Sequence, residues 1–351
     1  MKRGRSALPE LVIAGEKIEP GKNYRLQLPL GSLYTSTDMT MPVYVKRSNH
    51  PGPTLFISAA IHGDELNGVE IINRLIHGTR LRYLRGTLIC VPIVNPFGVI
   101  NHSRYLPDRR DLNRSFPGSS KGSLASRMAD LFLSEIIARC DYGIDLHTGA
   151  IHRSNLPQIR ADLDDEVTRN MALEFGVPVV LNANLRDGSL REAAHEMGVK
   201  ILLYEAGEAL RYDELCIRAG ERGILRVMRH LGMLPPSRRK KYPIEPLVAR
   251  SSGWLRATDS GFVRTFKQLG DKVEKGDVLA SICDPFGDEL DRVIASKDGI
   301  IIGNQNLPLV HEGDALYHIA YFAEPDDVVE SIENMQDSLL PDDELLVPPY
   351  N

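Results

Sequence analysis

Apolar and polar positions alternate through the first fifty residues. Tyr24, Leu26 and Leu28 are spaced by Arg25 and Gln27, and Val43 and Val45 by Tyr44, a period of two that predicts antiparallel strands. The run over 52–61, centred on Leu55, Phe56 and Ile57, is almost continuously apolar and reads as a strand buried on both faces. Leu66, Val69, Ile72, Leu75 and Ile76 then recur at helical spacing. Further strands are expected over 87–94, 142–146, 178–181 and 200–204, and further helices over 123–139 and 161–175. Strands alternating with helices predict an α/β fold: a mixed, doubly wound sheet with helices on both faces.

The pattern changes after residue 235. Pro235, Pro236, Pro243 and Pro246 surround the basic run Arg238, Arg239, Lys240 and Lys241, which reads as a solvated linker over 236–250. From 251 to 323 short strands are separated by glycines such as Gly261, Gly270, Gly287 and Gly313, which predicts a small all-β sandwich or barrel. Residues 324–351 carry nine acidic side chains and no Lys or Arg, and read as a mobile or loosely docked tail. The expected organisation is therefore a catalytic unit over 1–235, a linker, a β domain over 251–323 and an acidic tail.

Composition narrows the class. The chain has 351 residues, 42% hydrophobic and 25% charged, as in ordinary globular proteins, with a net charge of −5 that does not favour a nucleic-acid partner. No apolar run approaches the roughly 18 residues of a membrane helix, so no membrane partner is expected. The basic start at Lys2, Arg3 and Arg5 is followed by Pro9, Glu10 and Glu16 rather than by an apolar stretch, so no secretory signal is read. Cys90, Cys140, Cys216 and Cys283 lie far apart and suggest reduced thiols in a cytoplasmic protein.

The candidate chemistry sits where buried strands end. His62 and Glu65, three apart on a turn that opens a helix, can aim an imidazole and a carboxylate at one point, a donor pair that suits Zn²⁺. His147 closes another apolar strand and offers a third ligand. Asp145 lies on the same side of that strand by period-two alternation and could orient the imidazole. Between these motifs, Arg104, Arg109, Arg110 and Arg114 fall within eleven positions, a concentration suited to carboxylate recognition. Glu205 ends an apolar strand, where a carboxylate is out of place unless it works or is paired, and beside a zinc-polarised water it could act as general base.

These segments carry a family resemblance. His62-Gly-Asp-Glu65, Asn95-Pro-Phe-Gly98, the stretch from Arg110 through Asp111, Asn113 and Arg114 to Gly118, Asp145-Leu-His147-Thr-Gly149 and Tyr204-Glu-Ala-Gly-Glu208 resemble, in order, the succinylglutamate desuccinylase/aspartoacylase family of zinc carboxypeptidase-like hydrolases. The resemblance covers residues 40–230. It implies one zinc ion per chain on His62, Glu65 and His147, Glu205 as the catalytic carboxylate, and Asn113 and Arg114 on a substrate carboxylate. It also implies Arg104 as the group that polarises the scissile carbonyl, with Arg109 or Arg110 as alternatives because the spacing to Asp111 is longer than in the family. The implied activity is hydrolysis of the amide of a small N-acyl amino acid or N-acyl amine. A zinc carboxypeptidase and a catalytically silent zinc- or ligand-binding protein are the rival readings, and the chain is compatible with a homo-oligomer.

The C-terminal segment resembles a biotinyl- or lipoyl-type sandwich, but the hairpin that would carry the modifiable lysine reads Cys283-Asp-Pro-Phe-Gly287. A carrier role is therefore not expected. The resemblance suggests instead a β domain that narrows access to the zinc site.

Overall fold

A computed structural model of the chain describes residues 8–183, 185–237, 245–249 and 251–339. The alternating N-terminal segments form β1 (Asn23–Ser32) and β2 (Asp38–Arg47), paired antiparallel, with Leu26, Leu28, Met41, Val43 and Val45 buried. The apolar run forms β3 (Thr54–Ala59), followed by α1 (Asn67–His77) and β4 (Thr87–Val91). After α2 (Leu124–Glu135) come β5 (Tyr142–Gly149), β6 (Arg153–Ala161), α3 (Glu166–Phe175) and β7 (Val179–Asn182). The short α4 (Leu190–Glu196), β8 (Lys200–Glu208) and the long α5 (Glu214–His230) complete this part.

β3, β4, β5 and β8 run parallel, while β2 on one side and β6 on the other run antiparallel to their neighbours. Period-two alternation divides the core across this mixed sheet. Leu55, Ile57, Ile144 and Leu202 pack with side chains of α1, α3 and α5 on one face, whereas Phe56, Ile89 and Ile201 pack with α2 and α4 on the other. Helices on both faces are thus observed.

Three of these elements are absent from the reading of the periodicity: β6, α4 and α5. In α5, Gly220 and Gly223 look like helix breakers by propensity. A Cβ on Gly223 would stand 2.1 Å from the Phe175 ring, and one on Gly220 2.5 Å from Ile71. Both glycines are therefore sites of close helix packing.

The C-terminal part contains β9 (Leu247–Ala249), β10 (Ser251–Arg256), β11 (Gly261–Thr265), β12 (Val278–Cys283), β13 (Glu289–Ile294), β14 (Gly299–Gln305), β15 (Leu309–Val310), β16 (Ala315–Tyr321) and α6 (Pro325–Leu339). The large sheet continues into it, in the order β10-β16-β14-β6-β8-β5-β3-β4-β2-β1, because β14 pairs antiparallel with β6. A second sheet, β13-β12-β11-β15, closes over an apolar layer that includes Leu279, Ile282, Val293, Ile301 and Ile319. The β12–β13 hairpin carries Phe286, 91% exposed, near its tip.

Two expectations are corrected here. Within the segment read as a linker, β9 adds in parallel to β7, while Arg238, Arg239, Lys240 and Lys241 lie outside the described residues. The acidic segment is helical over Pro325–Leu339 and is docked on one side. Val328, Ile332, Met335 and Leu339 are buried in the core, and Arg218 of α5 donates to the Leu339 carbonyl at 3.1 Å. Four apolar positions at helical spacing outweigh the acidic composition, which occupies the outer face. Residues 340–351 lie outside the described part.

Candidate active site

Three segments that follow or end parallel strands meet at one end of the sheet. After β3 the chain turns at Ala60 (φ 52°) and presents His62 and Glu65 ahead of α1. Gly63 makes that turn possible, since a Cβ there would stand 1.9 Å from the backbone of Gly98. Asn95 completes the contact: it accepts from Gly98 N at 2.8 Å and donates to the Ile61 carbonyl at 3.3 Å. His147 projects from β5, beside Glu205 on β8 in parallel register.

His62, Glu65 and His147 are each less than 5% exposed, and their ligand-type atoms lie within 4.8 Å of one another. Glu65 is the centre. Its Oε1 lies 2.7 Å from Nδ1 of His62, its Oε2 lies 2.8 Å from Nδ1 of His147, and Thr148 N donates to it at 3.1 Å. The far nitrogen of each ring faces a further carboxylate. His62 Nε2 lies 3.2 Å from Asp111 Oδ1, and His147 Nε2 lies 2.7 Å from Asp145 Oδ2. Ser58 in turn donates to Asp145 Oδ1 at 2.7 Å.

Burial opposes every charge in this cluster, and the partners overcome it. For both histidines desolvation favours the neutral ring, but the flanking carboxylates raise the pKa above the ordinary value, furthest for His147. Burial likewise works against the Glu65 carboxylate, yet His62 and His147 hold it well below the usual range. Asp111 is also held low, against its own burial, by His62 and Arg104.

This donor set fits a divalent cation. Both Nδ1 atoms converge on one carboxylate, and both Nε2–H groups have a carboxylate acceptor, which leaves the Nδ1 lone pairs for a metal. Nitrogen with carboxylate oxygen is the chemistry of a zinc site.

The other expected residues divide. Arg104 enters the cluster, donating to Asp111 Oδ2 at 2.9 Å and to Glu65 Oε1 at 3.3 Å. Arg109 and Arg110 are exposed. Asn113 is buried, with its Oδ1 accepting from Leu190 N at 2.9 Å, so its Nδ2 is the half able to donate to a ligand. Arg114 donates to the Asn113 carbonyl. Burial first, then Arg186 and Arg104, lower its pKa from the usual arginine value, with Asp111 opposing them. Glu205 makes no hydrogen bond or ion pair with the three donors among the described residues; Asn155 donates to its Oε2 at 2.7 Å and Arg160 pairs with the same oxygen at 3.1 Å. Glu208, the other acid of that segment, is engaged by Asn306 at 3.0 Å and Arg211 at 3.3 Å.

Sequence reasoning missed Asp111, Asn155, Arg160, Arg186 and Arg191. Arg191 sits on α4 at 8% exposure, donates to the Ala183 carbonyl at 3.2 Å, and feels burial first and then Arg160 and Glu205. A charged residue on the core side of a helix was the available signal. Beside the cluster, a cleft of about 370 Å³ is lined by Asp64, Arg104, Tyr105, Ile151, Arg153 and Gln305, so β14 contributes to its wall.

The sheet, the strand-end cluster and the order of the motifs define a family. A sequence model described as the succinylglutamate desuccinylase/aspartoacylase catalytic domain matches residues 51–231, and the chain belongs to that family. The N-alpha-acetyl-L-2,4-diaminobutyric acid deacetylase of Halomonas elongata is 29% identical over 322 residues, covering 88% of this chain and 92% of that protein. The product-bound ectoine utilization protein EutE (DoeB) of Ruegeria pomeroyi superposes with a TM-score of 0.77 at 25% identity, over 85% of this chain and 95% of that one. A succinylglutamate desuccinylase/aspartoacylase from Rhodobacter sphaeroides shares the fold, with a TM-score of 0.76 at 24% identity over 86% and 96% of the two chains.

Proposed function

We propose that the protein is a zinc-dependent amidohydrolase that removes the acyl group from a small N-acyl amino acid or N-acyl amine. The observation that carries this reading is the pair of histidines turned onto Glu65, each braced from behind by its own carboxylate. The deacetylase of Halomonas elongata, similar along nearly the whole chain, supports the amide as the bond cleaved.

His62, Glu65 and His147 hold the zinc, which when bound supplies a Lewis acid and lowers the pKa of a water. Glu205 takes the proton of the attacking water and returns it to the leaving amine. Arg104, always charged, donates to the carbonyl oxygen as negative charge develops there. Asn113 Nδ2 and Arg114 bind the substrate carboxylate and so orient the amide. Among the described residues no helix is long and apolar enough to cross a membrane. The four separate thiols suit a reducing compartment, and we place the enzyme in the cytoplasm.

The test is a panel of N-acetyl and N-succinyl amino acids and diamines, with peptides as the carboxypeptidase control, assayed on the zinc-loaded protein. Glu205→Gln is expected to keep its zinc and lose roughly 10²-fold to 10⁴-fold in kcat, the usual loss for a positioned acid–base group. Near-normal turnover in Glu205→Gln with a dead Glu208→Gln would move the role to Glu208. Release of C-terminal residues without deacylation would favour the peptidase.

A further inference from the structure

We propose that Asn155 and Arg160 are positioning residues for Glu205, and that the C-terminal β region holds this arrangement in place through Gly303. The inference rests on the reading of Glu205 as general base and goes beyond it. Both contacts fall on one oxygen. Asn155 Nδ2 donates to Oε2 at 2.7 Å and the Arg160 guanidinium pairs with it at 3.1 Å. Oε1 accepts no hydrogen bond among the described residues, so the carboxylate is anchored through one oxygen and offers the other.

Both partners come from β6, the strand that pairs with β8 on one side and with β14 on the other. Asn155 sits opposite Gly207 of β8 and opposite Gly303 of β14. A Cβ on Gly303 would stand 2.9 Å from Asn155 Oδ1 and 3.2 Å from the His318 Cβ. The first of these is the end of a side chain, so an added methyl group would turn the carboxamide away and with it the Nδ2 that holds Glu205. The C-terminal strand thus reaches the candidate base through a missing side chain. A carboxylate free to swing loses the near-attack geometry on which a positioned base depends.

The experiment uses the full-length, zinc-loaded protein with Nα-acetyl-L-2,4-diaminobutyrate as the probe. Asn155→Ala and Gly303→Ala are compared with wild type, alone and in a Glu205→Gln background. We expect each to lower kcat by about 10²-fold, the scale of a 1 Å misplacement. KM, calorimetric probe binding and zinc content should hold. Arg160→Lys, which keeps the cation, should retain more turnover than Arg160→Gln. In the Glu205→Gln background neither Asn155→Ala nor Gly303→Ala should cost anything more, because each acts only through that carboxylate.

Wild-type kcat in both Asn155→Ala and Gly303→Ala, with Glu205→Gln inactive, would overturn the positioning role and leave the base in place. So would losses that multiply in the double variants. Full activity of Glu205→Gln would remove both readings.

Discussion

Two regions of this molecule bury histidines and treat them in opposite ways. His62 and His147, at the strand ends, each lie between two carboxylates, and their pKa values rise despite burial. His318, on β16, is 4% exposed and stacks on Trp254 with ring centroids 4.6 Å apart, while its Nδ1 has no hydrogen-bond partner. Burial, reinforced by Arg160, pushes its pKa down to about 3. The lesson is that burial alone does not decide the charge of a histidine; the partner does. Carboxylates on both sides of a ring make a site ready for a cation, whereas an aromatic face and a guanidinium make a neutral packing group. Arg160 connects the regions, since it acts on His318 and pairs with Glu205.

The strongest way to break this contrast is to remove a ring from each region. His147→Ala should release the zinc and reduce turnover to background, as should a chelator, whereas His318→Phe should leave zinc stoichiometry unchanged. Metal analysis of the two purified proteins decides it, and full zinc in His147→Ala would sink the assigned site.

A smaller effect tests the outer carboxylate. Asp145→Asn keeps the size and an oxygen for His147 Nε2–H but removes the charge. Zinc affinity should weaken by roughly 10-fold to 100-fold, the usual cost of losing such a partner, and competition with a chromogenic chelator measures it. Unaltered affinity would mean that the His147–Asp145 contact does not tune the site.

The mildest effect lies in stability against pH. The folded pKa of His318 is about 3, below the unfolded value of roughly 6.5. The unfolded state therefore binds the proton first, so stability present above about pH 6.5 is lost as pH falls towards the folded pKa. Between pH 6.5 and 5 this amounts to on the order of 2 kcal/mol. Urea denaturation at pH 7 and pH 5 should show wild type losing that much more than His318→Phe; equal losses would mean that His318 is protonated in the native protein.

Much of the site can be read along the chain because its parts are local. His62 and Glu65 share one turn, and Asp145 and His147 share one strand, so spacing alone places each pair on a common side. Arg104, preferred over Arg109 and Arg110 by resemblance, is the one of the three that reaches the cluster. Asp111 stayed without a role because its contact with His62 spans 49 positions and lies in a loop whose course no periodicity describes. The acidic helix α6 was misread because composition spoke louder than the spacing of Val328, Ile332, Met335 and Leu339.

Hydrophobic periodicity was enough, without coordinates, to read the α/β architecture, the ordered motifs carried the resemblance to the family, and strand-end spacing singled out the histidine and carboxylate candidates, since each depends on residues a few positions apart. Tertiary structure alone decided that Asp111 stands behind His62, that β14 extends the large sheet, and that Asn155 and Arg160 engage Glu205 with Gly303 against Asn155. Those contacts join residues about 50 to 150 positions apart, and their partners are chosen by sheet register and by the absence of a Cβ at the crossing point.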